Sequence, residues 1–172
     1  MDTEIKTYRP SLVFYRANAK GTGSAMKMEL HPAHGDTSGC IMATLASQKT
    51  VGDYRRPNPI YPTFDWENAI CVKLDFIDLS KMLQVFRGEC ESIDEGLGLV
   101  HRSPKGLAYI KLAHLVEPIH GYRLEVKLYA GEGCIEQRSI MLMPCEALGL
   151  VAAIESSLGV ICFGVPMVID HV

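Results

Sequence analysis

The sequence of 172 residues contains no unbroken apolar run of the roughly 18 residues needed to cross a membrane. Its longest candidate, Leu158–Ile169, has 12 residues and is interrupted by Gly164 and Pro166. The first nine residues carry charges and lack the apolar segment of a secretory signal. We therefore expect a soluble cytoplasmic protein with no membrane partner.

Motifs that carry chemistry are also missing. The six cysteines form no Cys-x-x-Cys pair, so reduced thiols are expected ahead of a disulfide or zinc site. His31 and His34 lie close together, but no further His or Cys follows at ligand spacing. No phosphate loop, dinucleotide fingerprint or nucleophile motif occurs. We predict no metal, no cofactor and no enzymatic activity; an enzyme acting through His31 and His34 would need a cleft of titratable groups.

The charge balance excludes binding of nucleic acid by bulk electrostatics. The chain has 17 Lys and Arg against 20 Asp and Glu, and its pI is about 6.1. Nucleic-acid-binding domains commonly have a pI above about 9. Any such binding must therefore come from the local placement of cations.

What the sequence does contain is an internal repeat. Period-two alternation predicts strands at 12–18, 25–30, 41–47 and 70–75, and helical spacing then predicts a helix near 79–86 with Asp78 as its N-cap. The same order returns at 99–103, 107–115, 122–129 and 135–143, with a helix after Pro144. We predict one α+β domain over 1–172 with two ββββα repeats, about 11–93 and 97–165, in antiparallel sheets with the helices at one side. The alternative is two unrelated β-rich segments. An apolar tail at 159–172 is expected to pack on this chain or on a neighbour.

The repeats differ by an insertion in the first one, at Gln48–Glu67, where the second has a tight Gly-rich turn. Long loops inside compact domains are usually functional or disordered. Arginine suits phosphates and aromatic rings suit stacked bases. The candidate binding residues in the insertion are Tyr54, Arg55, Arg56, Tyr61 and Trp66. Alternatively, Phe64 and Trp66 cover a sheet edge or a subunit contact, and the arginines meet surface carboxylates.

The predicted sheets supply further candidates because an antiparallel sheet can leave one face open. An open face with interleaved cations and aromatic rings suits single strands of nucleic acid. The candidates on these faces are Lys27, Lys73, Tyr109, Lys111, Arg123 and Lys127. Two turns add Lys20 with Gly21, and Lys105, where backbone N–H groups near a cation favour a phosphate. Tight hairpin geometry alone would also explain the glycines. Tyr15 and Arg16 end the first strand. They either line the same groove or are ordinary strand residues with no role in binding.

The first turn and the strand after it read Lys20-Gly21-Thr22-Gly23-Ser24-Ala25-Met26-Lys27. This segment is similar to the Lys-Gly-Lys-Ala-Ala-Leu signature of plant Whirly proteins, although Thr-Gly replaces the second lysine and one extra residue precedes Ala25. The two ββββα repeats resemble the Whirly-like single-stranded-DNA-binding fold, which PUR-repeat proteins share in variant form. The resemblance implies a symmetric oligomer, commonly a tetramer built through the helices.

We therefore predict a single-stranded nucleic-acid-binding protein of low sequence specificity, for DNA in preference to RNA. Bases would stack on the open sheet faces, and local cations would contact phosphates. The alternative is a homo-oligomeric structural or regulatory module of the same fold that binds protein or a small ligand. The acidic pI and the interrupted signature favour that alternative.

Overall fold

The computed structural model describes residues 10–55, 57–103, 106–131 and 133–165. Sheet I has the order β1 (Ser11–Arg16), β2 (Ser24–His31), β3 (Cys40–Ser47) and β4 (Ile70–Leu74), followed by helix α1 (Phe76–Phe86). Sheet II has the order β5 (Leu99–Ser103), β6 (Gly106–Leu115), β7 (Gly121–Ala130) and β8 (Gly133–Leu142), followed by helix α2 (Pro144–Phe163). Every pairing is antiparallel. The predicted ββββα order, occurring twice, is confirmed.

Strand alternation sorts the side chains of sheet I into two sides. On β2, Met26 and Met28 are buried, whereas Lys27 between them is half-buried on the other side. On β4, Ile70, Val72 and Leu74 are buried, and the residues between them are exposed. Because residues two apart share a side, each strand gives one side to the core and the other to an open face.

The N-cap of α1 lies one turn earlier than the sequence analysis predicted. Asp75, not Asp78, is the N-cap: its Oδ1 accepts from the backbone N–H groups of Ile77 at 2.9 Å and Asp78 at 3.0 Å. Asp78 completes a capping box by accepting from the Asp75 N–H at 3.0 Å. Its other oxygen lies 3.1 Å from Nε2 of His101 on β5. Asp78, which the sequence analysis predicted as the N-cap, therefore links α1 to sheet II.

Helix α2 runs to Phe163 and so includes the first part of the predicted apolar tail; residues 166–172 lie outside the described ranges. By length and composition alone, this helix is long and apolar enough to cross a membrane, with 22% of the tested stretch buried. The search for unbroken apolar runs missed it because Glu146 and Glu155 interrupt the helix. A helix in the core of a soluble protein can have the same composition.

The two charges of α2 are paired within the chain. Arg16 at the end of β1 forms a salt bridge with Glu146, and its Nε donates to the Met141 carbonyl at 2.8 Å. Arg87 after α1 pairs with Glu155. These contacts hold α2 against both repeats, while Ala147, Leu150, Ile154 and Ile161 bury its inner side in the core. Arg16 therefore points to the core side and does not line the open groove considered for it.

The insertion lies between β3 and β4, as its position in the repeat predicts. It is folded back on itself as an irregular hairpin. Lys49 donates to the Thr63 carbonyl at 2.7 Å, and Asp53 and Ile60 exchange both backbone hydrogen bonds at 2.8 and 2.9 Å. Backbone hydrogen bonds therefore join the two arms of the insertion at its base and again at Asp53 and Ile60.

Candidate nucleic-acid interface

The insertion forms an aromatic pocket with the end of β1. A cavity of about 620 Å³ is lined by Tyr15, Ala17, Tyr54, Tyr61, Pro62, Thr63, Phe64 and Trp66. The ring centroids of Tyr15 and Phe64 are 5.3 Å apart, and those of Tyr54 and Tyr61 are 5.9 Å apart at an interplanar angle of 78°. Phe64 also contacts Trp66, with centroids 6.5 Å apart. The chain thus concentrates five aromatic rings around one opening.

Three of these rings remain largely accessible to solvent. Tyr61 is 68% exposed, Tyr54 64% and Tyr15 56%. A large exposed aromatic group on a folded surface is typical of a binding site, since it gains more from burial than any other side chain. The size and exposure of the pocket suit a planar aromatic ligand.

Backbone contacts hold the pocket in place on sheet I. Phe64 pairs with Gln48, and the Asp65 N–H donates to the Ser47 carbonyl at 2.9 Å, so the returning arm of the insertion follows the end of β3. Tyr15 lies opposite Ala25, and Ala25 lies opposite Ala46. Both alanines are completely buried although this row belongs to the open side. This end of the open side is therefore covered, and the pocket forms on top of it.

The turn that contains Lys20 and Gly21 keeps its backbone donors for internal use. The Asn18 side-chain oxygen accepts from the N–H groups of Lys20 at 3.0 Å and Thr22 at 3.1 Å, and Gly21 donates to the Asn18 carbonyl at 3.3 Å. Gly23 donates to Oε1 of Gln48 at 3.1 Å. These amides are not available to a phosphate, which leaves the exposed Lys20 side chain as the possible contact.

Gln48 is a structural residue of the site that sequence reasoning missed. It is 7% exposed, and its side chain accepts from Asn18 and Gly23 and donates to the carbonyls of Asn18 and Thr50. All four hydrogen bonds are 2.9–3.1 Å long. Gln48 thereby joins the β1–β2 turn to the base of the insertion.

Lys73 lies beside a second cavity rather than beside the aromatic pocket. This cavity, of about 400 Å³, opens between β4 and β5 and is lined on its polar side by Lys73, His101 and Arg102. Lys27 lies on the open side of sheet I, where its ammonium is 3.1 Å from Glu29. Arg102 was not among the predicted site residues, because only pairing of the two repeats brings β5 next to β4.

On sheet II, the predicted residues share the open side. The register places Tyr109 opposite Lys127, Lys111 opposite Glu125 and Tyr129 next in line, with the rings of Tyr109 and Tyr129 5.2 Å apart. Arg123 and Lys127 both contact Glu125, at 2.8 and 3.2 Å. The second face thus has cations and rings, but its cations are partly neutralised.

The remaining predicted site residues lie apart or outside the described ranges. Arg55 is exposed at the tip of the insertion, where its backbone N–H donates to Asp53. Arg56 and Lys105 lie outside the described residues. The structure therefore gathers Tyr54, Tyr61 and Trp66 into one pocket and distributes the cations around it and over the two sheets.

No metal centre is found in the part of the chain that the structure describes: no three His, Cys, Asp or Glu side chains are grouped closely enough to hold an ion. His31 ends β2, and His34 lies in the turn that follows.

Near the pocket, the Asn68 side-chain amide donates to Asp65 at 2.9 Å and holds the pKa of that carboxyl below its ordinary value of 3.8.

No protein-family model matches the chain, and a search of curated proteins finds no relative. Solved structures do match. WHY1 from Arabidopsis thaliana aligns with a TM-score of 0.70 over 91% of this chain and 86% of its own, at 14% identity. Trypanosome MRP1/MRP2 align with 0.60 over 89% and 86%, at 12% identity. A guide-RNA-binding protein complex bound to a gRNA aligns with 0.58 over 88% and 91%, at 13% identity.

The chain has a Whirly-like fold. The resemblance inferred from the repeats is thereby confirmed for the whole architecture, including both sheets and both helices. At 12–14% identity, the similarity is one of fold and does not extend to individual site residues.

The sequence alone did not assign two aromatic residues of the pocket, Tyr15 and Phe64, to the site. Tyr15 belongs to β1, and Phe64 was weighed as a cover for a sheet edge. Their exposure alone would not have assigned them. The available signal is the aromatic density of 54–66 combined with the aromatic residue at the end of β1, at the turn that Gln48 joins to the insertion. In this Whirly-like fold, the pocket is thus shared between a strand and the insertion.

Proposed function

We propose that this protein binds single-stranded nucleic acid, DNA in preference to RNA, with low sequence specificity. The observation that carries the proposal is the aromatic pocket of Tyr15, Tyr54, Tyr61, Phe64 and Trp66 on the open side of sheet I. Unpaired bases stack on such rings, and each stack contributes about 1–3 kcal/mol to binding. Duplex bases are already stacked on each other, so the pocket favours unpaired strands.

The placement of cations supports the same function. Lys20 lies on the turn next to the pocket, and Lys73 and Arg102 line the groove between the two sheets. These side chains suit phosphates along an extended strand. Support also comes from the fold, which is shared with WHY1 and with a protein complex bound to a gRNA. DNA is our first choice because the Lys20–Lys27 segment and the two ββββα repeats resemble the Whirly-like single-stranded-DNA-binding fold.

Trp66 makes the proposal directly testable because it is the only tryptophan in the chain. Titration with oligo-dT should change Trp66 fluorescence and raise the anisotropy of a labelled strand over the same concentration range. Binding should weaken with salt, with a log–log slope of roughly −0.7 for each phosphate contact. Oligo-rU and a hairpin duplex serve as competitors. Absence of binding at micromolar protein in low salt would overturn the proposal; tighter binding of oligo-rU would change its target to RNA.

We also propose that the protein forms a homo-oligomer through α2. The outer side of this helix is apolar and exposed: Leu148 is 73% exposed and Phe163 90%, with Cys145, Gly149 and Ala152 also exposed. Small residues among these permit close approach of a second helix. A surface of this kind is unfavourable in water unless it is covered. The resemblance to Whirly proteins implies that this oligomer is a tetramer.

Light scattering after gel filtration tests the assembly. We expect a mass of several 19.0 kDa chains, and we expect Ala152→Glu to reduce it because a carboxylate would be buried between helices. Ser156→Glu, on the same exposed helix surface, is a second probe of the interface. A monomer for the wild type would overturn the proposal. Cosedimentation with lipid vesicles would instead assign the exposed side of α2 to a membrane.

A further inference from the structure

A carboxylate occupies the middle of the open side of sheet II, among the cations that would meet a phosphate. Glu125 lies at the centre of β7 and is only 9% exposed. Arg123 and Lys127 are two residues away on either side and therefore share its side of the sheet. Lys111 lies directly opposite it on β6. Three cationic side chains thus surround one acid.

Both oxygens of this carboxylate are in use. Oε2 accepts from Arg123 Nη2 at 2.8 Å and from Gln137 Nε2 at 2.8 Å, and Oε1 lies 3.2 Å from Lys127 Nζ. Gln137 belongs to β8, so the network spans two strands. These contacts compensate the burial of the acid, since a buried charge is tolerated when it is paired and hydrogen-bonded.

The same contacts weaken the cations as phosphate ligands. A phosphate that approaches Arg123 or Lys127 meets a carboxylate within about 3 Å of either cation. Arg123, Glu125 and Lys127 together carry a single net positive charge, and two of the strongest donors on this face are already engaged. Among the residues that the structure describes, the open side of sheet I shows one pair of this kind, Lys27 with Glu29.

We infer that Glu125 is an internal counter-charge that limits phosphate binding on sheet II. The inference rests on the proposed function, and it identifies the residue that keeps the second face a weaker contact for nucleic acid than the first. Removing the charge while keeping the shape, as in Glu125→Gln, should release Arg123 and Lys127. The variant should therefore bind a single strand more tightly than the wild type.

A salt titration with labelled oligo-dT tests this inference. At low salt we expect Glu125→Gln to bind about threefold to tenfold more tightly, and its log–log salt slope should be steeper by about 0.7–1.4, the value for one or two added phosphate contacts. Glu89→Gln, which makes the same charge change beside Arg87 after α1, is the matched control and should leave the slope unchanged. Equal affinities and slopes for Glu125→Gln and the wild type would overturn the inference.

A double-mutant cycle separates release of the cations from a general change of charge. Arg123→Gln should weaken the wild type only slightly but should remove much of the gain in the Glu125→Gln background. Equal effects in both backgrounds would show that Glu125 does not restrain Arg123, and weaker binding by Glu125→Gln alone would show that Glu125 positions the cations for binding; either result would overturn the inference. Circular dichroism checks that each variant is folded.

Heparin chromatography makes the result independent of the proposed function. Heparin is a polyanion without bases, so it reports the release of cations but not stacking. Later elution of Glu125→Gln than of Glu89→Gln supports the counter-charge even if no oligonucleotide binds, in which case only the proposed function fails. Coelution of the two variants would overturn the inference whether or not the wild type binds oligo-dT.

Discussion

The two repeats have the same order of elements and carry different open faces. Sheet I has a long insertion between its third and fourth strands, which builds an aromatic pocket with the end of β1. Sheet II joins its third and fourth strands by a short turn, and its open side holds the Glu125 network. The core sides are alike, with alternating apolar residues on every central strand.

This difference shows which parts of a repeat are fixed by folding and which are free to vary. The buried side must match the other sheet and the helices, so its pattern is kept in both halves. The open side has no such partner, so sheet I carries aromatic rings on this side and sheet II carries paired charges. The following variants test the comparison, from the largest expected effect to the smallest.

The first test concerns a feature that both repeats share, a glycine at the start of the second strand that lies close to a neighbouring backbone. Gly23 immediately precedes β2, and Gly106 begins β6. A Cβ at Gly23 would lie 2.1 Å from the Arg16 carbonyl oxygen, and a Cβ at Gly106 would lie 1.9 Å from the Tyr129 carbonyl oxygen. Alanine at Gly23 should lower the free energy of unfolding by about 3 kcal/mol. Gly106→Ala should cost more, because its φ of +133° adds strain of about 1–3 kcal/mol. Gly133→Ala meets open space and is the control. Urea denaturation measures the free energy of unfolding of all three variants. A Gly106→Ala variant as stable as the wild type would contradict the expectation that both repeats need a glycine at this position.

The second test compares the aromatic residues of the two faces. Tyr61→Ala should weaken binding of oligo-dT by about 1–3 kcal/mol, the contribution of one stacked base. Tyr109→Ala removes a ring of similar size from sheet II and should have a smaller effect, because Tyr109 is half-buried whereas Tyr61 is 68% exposed. Trp66 remains in both variants as the fluorescent probe. Equal losses for the two variants would remove the distinction between the faces.

The third test compares one lysine from each sheet. Lys73→Gln should make the log–log salt slope shallower by about 0.7, the contribution of one phosphate contact. Lys127→Gln should change the slope less, because Glu125 is 3.2 Å from its ammonium. Fluorescence anisotropy at four or five salt concentrations gives both slopes. A larger change for Lys127→Gln would reverse the assigned order of the two faces.

The smallest effect is expected at the end of the insertion. Because the Asn68 amide lowers the pKa of Asp65, ionised Asp65 stabilises this turn above its ordinary pKa of 3.8. That contribution is lost as the pH falls through the lowered pKa of the folded state. Carboxyl NMR shifts should show Asp65 titrating below 3.8 in the wild type and closer to that value in Asn68→Ala. Identical titration curves would exclude the Asn68 contact as the cause.

The repeat could be predicted from the sequence because its signals are local. Alternation on 25–30 and helical spacing on 79–86 each depend on neighbouring residues, and the insertion follows from comparing the two halves. The N-cap of α1 was placed at Asp78 because both aspartates fit the pattern; the exchange of hydrogen bonds with Asp75 distinguishes them. Helix α2 extends into the predicted apolar tail because the helix continues through Gly159 and ends only at Gly164, whose φ is +75°.

The candidate site was only partly predictable because it depends on contacts between distant residues. The aromatic residues of the insertion were identified from composition, but the partnership of Tyr15 with Phe64 joins residues in different elements. Gln48 is an ordinary polar residue in the sequence, and only the folded chain gives it four backbone partners. Arg102 likewise becomes a candidate only when β5 is placed beside β4.

The contact between Arg16 and the start of α2 has a consequence for how the protein acquires its structure. Arg16 lies in the first strand of sheet I, whereas its partners Met141 and Glu146 lie 125 and 130 residues later along the chain, in β8 and α2. Contacts of such sequence separation slow folding, since a long loop must close before they form. Strand β1 therefore gains these partners only after the second repeat has been synthesised, which couples the folding of the two halves.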